Sequence, residues 1–348
     1  MDMESSDWFQ FVSEQEDGPS SMDGIEKPVS GKAELPPVPP PVPPMPTPPA
    51  SSHGSPCEEE SEPPTIVSVS TTFYPGANLM PLPPDLIIVS SDTVFFYVHA
   101  HQLLGVSENG FSALIPASPE PVKDKDDIGP IVPVADSSQV LNIVLHTFYD
   151  MSCAHYSPAI PTLLTAVDAL AKYGVPLQKY AAPNTPLYQL LLSQAPAAPM
   201  DFYSLAAQYD LYDLAVPISS HLLAYPLFNL SDEHAAKMGP LYMKKLVFLH
   251  LGRVDALKRL LLPPPQQHPA TTECDFIEQK KLTRAWALAS AYLAWDARAD
   301  LSTSAMESAL CSLNDHLSCD LCKASLRERV KQLIIQWAVV KVRIEHHR

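Results

Sequence analysis

Apolar and polar positions change their rhythm near residue 65, and the patterned part of the chain lies beyond it. Its first strong strand signal is Leu86-Ile87-Ile88-Val89, a short β-branched run after Pro83-Pro84-Asp85. A polar stretch, Ser90-Ser91-Asp92-Thr93, separates it from Val94-Phe95-Phe96-Tyr97-Val98. Two such runs about a polar turn predict a hairpin. Their nearly continuous apolar character predicts a sheet covered on both faces, or on one face with a partner on the other. From His99 to Ile115, the residues Leu103, Leu104, Val106, Phe111 and Leu114 recur at roughly helical spacing. Ser107 and Gly110 interrupt them, which predicts two short helices or one bent helix. After a charged, proline-containing loop over 116–129, Ile131-Val132-Pro133-Val134 predicts a short strand. Pro133 cannot donate to a ladder and pushes that strand to an edge.

Helical patterns follow. Asp136, with Gln139 three residues on, has the spacing of an N-cap before a stripe of Val140, Ile143, Val144, Thr147 and Phe148. Residues 161–173 bury Leu163, Leu164, Val167 and Leu170, with Gly174 as C-cap. Pro183 to Pro199 reads as a linker, after which Asp201 caps a helix running to Tyr209 and residues 218–224 continue as helix. Residues 226–348 read as all-helical. Ser231 caps 232–241, and Val254, Leu257, Leu260 and Leu261 form a stripe stopped by Pro263-Pro264-Pro265. Leu282, Trp286, Ala289 and Leu293 form another, and Ser304 with Glu307 has capping-box spacing. In the last helix Leu326, Val330, Leu333, Ile334, Trp337, Val340 and Ile344 share a face. Hairpin, helical pair, strand and then helices make an α+β fold, a small sheet capped by helices and followed by an all-helical extension.

Charge sharpens the division. The first 65 residues hold thirteen of the chain's acids against Lys27 and Lys32, a net −11 out of −16. Residues 36–49 hold ten prolines, which favour an extended polyproline II rod: a stiff spacer before a groove ligand. Asp7-Trp8-Phe9-Gln10-Phe11-Val12 is an aromatic cluster among acids, with the look of a short docking or activation motif. This region is expected to be a disordered acidic, proline-rich tail. The acidic balance argues against nucleic-acid binding, which draws on clustered bases. The basic residues Lys323, Arg327, Arg329, Lys331, Lys341, Arg343 and Arg348 read as the wet face of one helix. The acidic start Met1-Asp2-Met3-Glu4 lacks the form of an export signal, and no apolar run is long enough to span a bilayer. Cytoplasm or nucleus, with reduced thiols and no membrane contact, is the expectation.

The stretch PPDLIIVSSDTVFFYVHAHQLLGVSENGFSALIPA resembles a BTB/POZ domain, closest to the type found in fungal BTB proteins. Asp85, the strand Leu86 to Val89, Phe96, His99, Leu103 and Ser107 stand at the positions of that family's pattern. The helices LLTAVDALAKYGV and FYSLAAQYDLYDLAVPISSHLL resemble its closing pair. Three features depart from it: Ala100 replaces a basic residue, Phe111 comes one position late, and the segment from Pro183 to Pro199 is extra. The resemblance spans roughly residues 80–225 and divides the chain into a tail (1–65), a BTB/POZ-like domain (66–225) and a helical extension (226–348). It implies homo- or heterodimerisation through the first helical segment, with Leu103, Leu104, Phe111 and Leu114 as interaction residues. It also implies an adaptor role towards a cullin-type ubiquitin ligase or a transcriptional co-regulator.

No phosphate-binding glycine loop, nucleophile elbow or His-Glu-x-x-His motif is present. The one chemical constellation is Cys311, His316, Cys319 and Cys322, spaced C-x4-H-x2-C-x2-C. A Cys-x-x-Cys pair can hold zinc, with the other two completing a tetrahedron. Strong zinc signals carry two such pairs, so buried thiols acting as small apolar residues take precedence. His99 and His101 read as structural rather than ligating, and Asp210 and Asp213 as solvated. The expectation is a protein-interaction module without catalysis or cofactor. A transcription-linked regulator using the acidic-aromatic tail is the alternative, and a zinc-dependent enzyme a more distant one.

Overall fold

The computed structural model describes residues 68–115 and 129–345. The expected tail, including the polyproline and aromatic motifs, and the loop 116–128 lie outside the described residues.

Four strands form one sheet: β1 (Ser68–Val69), β2 (Leu86–Val89), β3 (Val94–Val98) and β4 (Ile131–Pro133), in the order β1-β3-β2-β4. β2 and β3 make the expected hairpin, with Leu86 opposite Val98 and Val89 opposite Phe95. β4 returns parallel to β2, and Pro133 sits on the edge strand as its missing N–H requires. Leu86, Ile88, Phe96 and Val98 are buried, while Val94, Phe95 and Tyr97 are half-buried. One face is thus fully packed and the other partly covered.

The first helical segment divides in two. Helix α1 (Ala100–Val106) ends at Ser107, and Gly110–Ala113 then winds left-handed with φ of 65°, 54°, 59° and 60°. Only Gly110 adopts that conformation freely; each L residue there costs ~1–2 kcal/mol. The turn drives Phe111 into the core, stacked on Tyr173 at 4.0 Å between centroids.

Helix α2 (Ser138–Phe148) corrects the expected cap. Its N-cap is Ser137, which makes no side-chain cap bond. The cap comes instead from the hairpin turn, where Asp92 Oδ1 accepts the Ser138 N–H at 2.8 Å and Oδ2 the Ser138 hydroxyl at 2.6 Å. Asp136 is drawn off by the Tyr173 hydroxyl and by Lys172 Nζ at 3.0 Å. Helix α3 (Ile160–Lys172) ends at Gly174, where φ is +75° and a Cβ would lie 2.5 Å from Asn109 Cγ. Both the backbone and the space there require glycine.

After the short α4 (Leu177–Tyr180), the segment expected to be a linker holds helix α5 (Pro186–Gln194). Thr185 Oγ1 accepts the Tyr188 N–H, and Pro186 occupies N1, where its missing N–H is harmless. Helix α6 (Pro199–Gln208) has Ala198 at its N-cap, so Asp201 lies inside the first turn and pairs with His234 Nε2 at 2.9 Å. Helix α7 (Tyr212–Ser219) follows.

Helix α8 (Asp232–Leu261) is capped by Ser231 as expected and kinks at Gly239-Pro240. Met238, Tyr242, Leu246 and Leu249 join the core that contains the sheet. Leu257 and Leu261 join a second core, built with α9 (Phe276–Trp295), α10 (Thr303–Cys311) and α11 (Asp320–Ala338). The two cores therefore part inside α8, between Leu249 and Leu257, later in the chain than the expected boundary at 225. The α10 cap is Ser302, two residues before the expected Ser304.

Ala113 is exposed yet left-handed, so Ala113→Gly should raise unfolding stability by ~0.5–1 kcal/mol in denaturant titrations. A loss of stability would contradict the left-handed turn. A second prediction concerns pH. Burial lowers the pKa of His146 and His250. The unfolded chain then binds more protons than the native one, so their contribution is present above about pH 6.5 and is lost as the pH falls below it. The thermal midpoint should drop between about pH 7.5 and 5.5, and less steeply in His146→Asn. An unchanged slope in that variant would remove His146 from the account.

Candidate functional site

Asp85 and His99 sit where the hairpin meets α1, and Ser107 sits at the end of that helix. Asp85 Oδ1 accepts the Ala100 N–H at 2.7 Å and so caps α1. His99 Nε2 lies 2.8 Å from the Leu82 carbonyl, an acceptor only, so that nitrogen carries the proton. Its Nδ1 then accepts from the Tyr149 hydroxyl at 2.7 Å. Burial pushes the Tyr149 phenol up to about 12, which keeps it a donor. Ser107 Oγ donates to the Tyr173 carbonyl at 2.6 Å and accepts the Phe111 N–H at 2.7 Å. His99 is a buried structural histidine, as expected, while His101 is exposed beside it with ring centroids 5.7 Å apart. Asp210 is exposed and accepts the Tyr242 hydroxyl at 2.6 Å.

The four expected interaction residues separate. Leu103 and Phe111 are fully buried in the chain's own core, so they are not open to a partner. Leu104 is half-buried, and Leu114 is 40% exposed. A larger apolar face lies on α9, where Ile277, Leu288, Tyr292 and Trp295 are exposed and fall at helical spacing with Lys281 and Arg284 between them. The stripe through Leu282 and Trp286 faces inward as expected. The helix is apolar on its outer face as well, a signal present in the sequence. A groove of about 680 Å³ runs beside the α8 residues Leu241, Phe248 and Leu249, with Lys244, Lys245 and Lys341 at its edges. Arg329, expected on a wet face, is buried and donates to the Pro263 and Leu260 carbonyls at the end of α8.

The cysteine constellation is regrouped. Cys319 and Cys322 keep their place, but Cys311 packs against the second core and His316 is exposed. Their partners are His268 and Cys274, both in the segment between α8 and α9. Cys319 is the N-cap residue of α11 and Cys322 lies in its first turn. Cys274 immediately precedes Asp275, the N-cap of α9. The Cys274 and Cys322 sulfurs are 3.7 Å apart, and His268 Nε2 is 3.4 Å from both Cys319 Sγ and Cys322 Sγ. A hydrogen bond from the Cys322 backbone N–H, against some burial, brings the Cys319 thiol down to about 7. Burial pushes the Cys322 thiol up to about 12. This is the one such group of ligand side chains among the described residues.

No protein-family model, no curated protein and no solved structure matches the chain. Among the described residues no helix is long and apolar enough to cross a membrane.

Ser107→Ala should destabilise the chain by about 2–3 kcal/mol, because it strands the Phe111 N–H and the Tyr173 carbonyl in the core. Chemical denaturation measures this, and a loss under about 0.5 kcal/mol would show that water or Asn109 replaces the hydroxyl.

Proposed function

We propose that the chain is a BTB/POZ-type adaptor that dimerises and binds other proteins, and that it acts by binding rather than by catalysis. The supporting observation is what the pattern residues do. Asp85 and His99 tie the ends of the hairpin to α1 and to the preceding loop, Ser107 ties the end of α1 to the end of α3, and all three act on backbone groups. Side chains committed in this way specify a scaffold. The parallel return of β4 beside the hairpin is consistent with the same reading.

The partner surface then falls to what the core leaves outside. In the first helical segment that is the exposed Leu114 and the half-buried Leu104. The apolar-basic face of α9 is a second open surface, fit for an acidic, apolar partner segment. Partners of the cullin-ligase or co-regulator class belong to this proposal, as does an intracellular location. The five described cysteines are all free thiols, which suits a reducing compartment.

Light scattering behind size exclusion on the full chain tests dimerisation over a hundredfold range of concentration. The expected result is a persistent dimer that Leu114→Asp converts to monomer while Trp295→Asp leaves it intact. A strict monomer at every concentration would overturn the dimer, and sensitivity to Trp295→Asp alone would move the interface to α9.

A further inference from the structure

His268, Cys274, Cys319 and Cys322 come from two distant stretches of chain and converge on one point. Around a tetrahedral zinc ion, with thiolates at ~2.3 Å and imidazole at ~2.0–2.1 Å, neighbouring sulfurs stand about 3.8 Å apart and sulfur and nitrogen about 3.5 Å. The chain shows 3.7 Å between Cys274 and Cys322 Sγ, and 3.4 Å from His268 Nε2 to each of the Cys319 and Cys322 sulfurs. All four donor atoms lie within 4.8 Å of one another. Three of the six edges of a coordination tetrahedron thus have the length zinc requires, and the other donor pairs lie within 4.8 Å.

The surrounding bonds prepare the same geometry. His268 Nδ1 lies 2.7 Å from the Pro269 carbonyl, which can only accept, so the ring proton sits there. The lone pair on Nε2 is left facing the sulfurs, in the arrangement that metal-binding histidines take from an outer carbonyl. Packing alone does not explain the cluster, because the loop from Leu262 to Cys274 is mostly exposed. Apart from Pro265 and Cys274 it buries little and has few apolar contacts to hold it. Arg329 and Ser325 of α11 hold the start of the loop through the Pro263 and Gln266 carbonyls, and the four ligands are placed to hold the stretch that follows.

We propose that His268, Cys274, Cys319 and Cys322 bind one zinc ion in a closed, structural site that staples the α8–α9 loop to the first turn of α11. Three soft thiolates and an imidazole select zinc over the harder divalent ions. Four protein donors fill the coordination sphere and leave no position for a substrate, which sets the site apart from a hydrolytic centre. Metal binding releases the thiol protons and ties residues more than 40 positions apart, so the ion adds to the stability of the second core. The site stands whether or not the chain is an adaptor.

The test is the metal content of the full chain, purified under reducing conditions and reconstituted with zinc. The expected result is about one zinc per chain, with cobalt giving the strong visible bands of tetrahedral thiolate coordination. Cys319→Ser and His268→Ala should lose the metal, whereas Cys311→Ser and His316→Ala should keep it. A ligand variant can fail by unfolding, so His268→Cys provides a second arm. It should retain one equivalent and intensify the cobalt–thiolate absorption. Less than about a tenth of an equivalent in the unaltered chain would overturn the proposal. So would loss of metal on changing Cys311 or His316, or a Cys274–Cys322 disulfide trapped by alkylation in freshly lysed cells.

Discussion

The folded chain hangs on one helix that two cores share. The first half of α8 is packed with the sheet-containing core and its second half with α9, α10 and α11. At the crossing lies Arg253, only 6% exposed. Burying a guanidinium costs several kcal/mol unless its donors are satisfied. Here they are directed at the carbonyls of Ala299, Val340 and Lys341, and its Cζ lies 4.1 Å from the Trp337 ring centroid. Those carbonyls belong to the loop between α9 and α10 and to the segment after α11. One side chain therefore closes the second core onto the shared helix. It also sends the chain back far enough for Ile344 to enter the first core and bond Ser219 Oγ through its N–H. Arg329 repeats the device at the helix end, satisfying carbonyls that have no helical partner.

What the sequence disclosed was what local chemistry decides. The hairpin, the edge position of Pro133, Gly174 after α3 and the Ser231 cap depend on residues within a few positions of one another. What it concealed depends on distant chain. The α2 cap is read wrongly from Asp136 because its true acceptor, Asp92, arrives 46 residues earlier in sequence. Helix α5 is hidden because prolines suggest a linker, although Pro186 stands at the first helical position, where its missing N–H is harmless. The left-handed turn at Gly110–Ala113 places Phe111 inside, where helical spacing would have left it beside Leu114.

The His268, Cys274, Cys319 and Cys322 cluster was half legible for the same reason. Cys319 and Cys322 are a visible pair, and sequence proximity made Cys311 and His316 their natural companions. The fold prefers His268 and Cys274, which lie 51 residues from Cys319 and 48 residues from Cys322 respectively. The adaptor reading and the cluster meet on α9: its N-terminus is anchored beside Cys274, and its outer face carries the exposed Ile277, Tyr292 and Trp295. A rigidly held start to that helix fixes the direction in which the face points.

The Asp92 cap has a kinetic consequence. In the folded chain Ser137 makes no side-chain cap bond, and without the hairpin the first N–H groups of α2 are left to water. Its end is completed only when the hairpin has formed and docked. Docking of the hairpin therefore adds about 1 kcal/mol to the helix, and helix and sheet stabilise each other through a contact made late in folding.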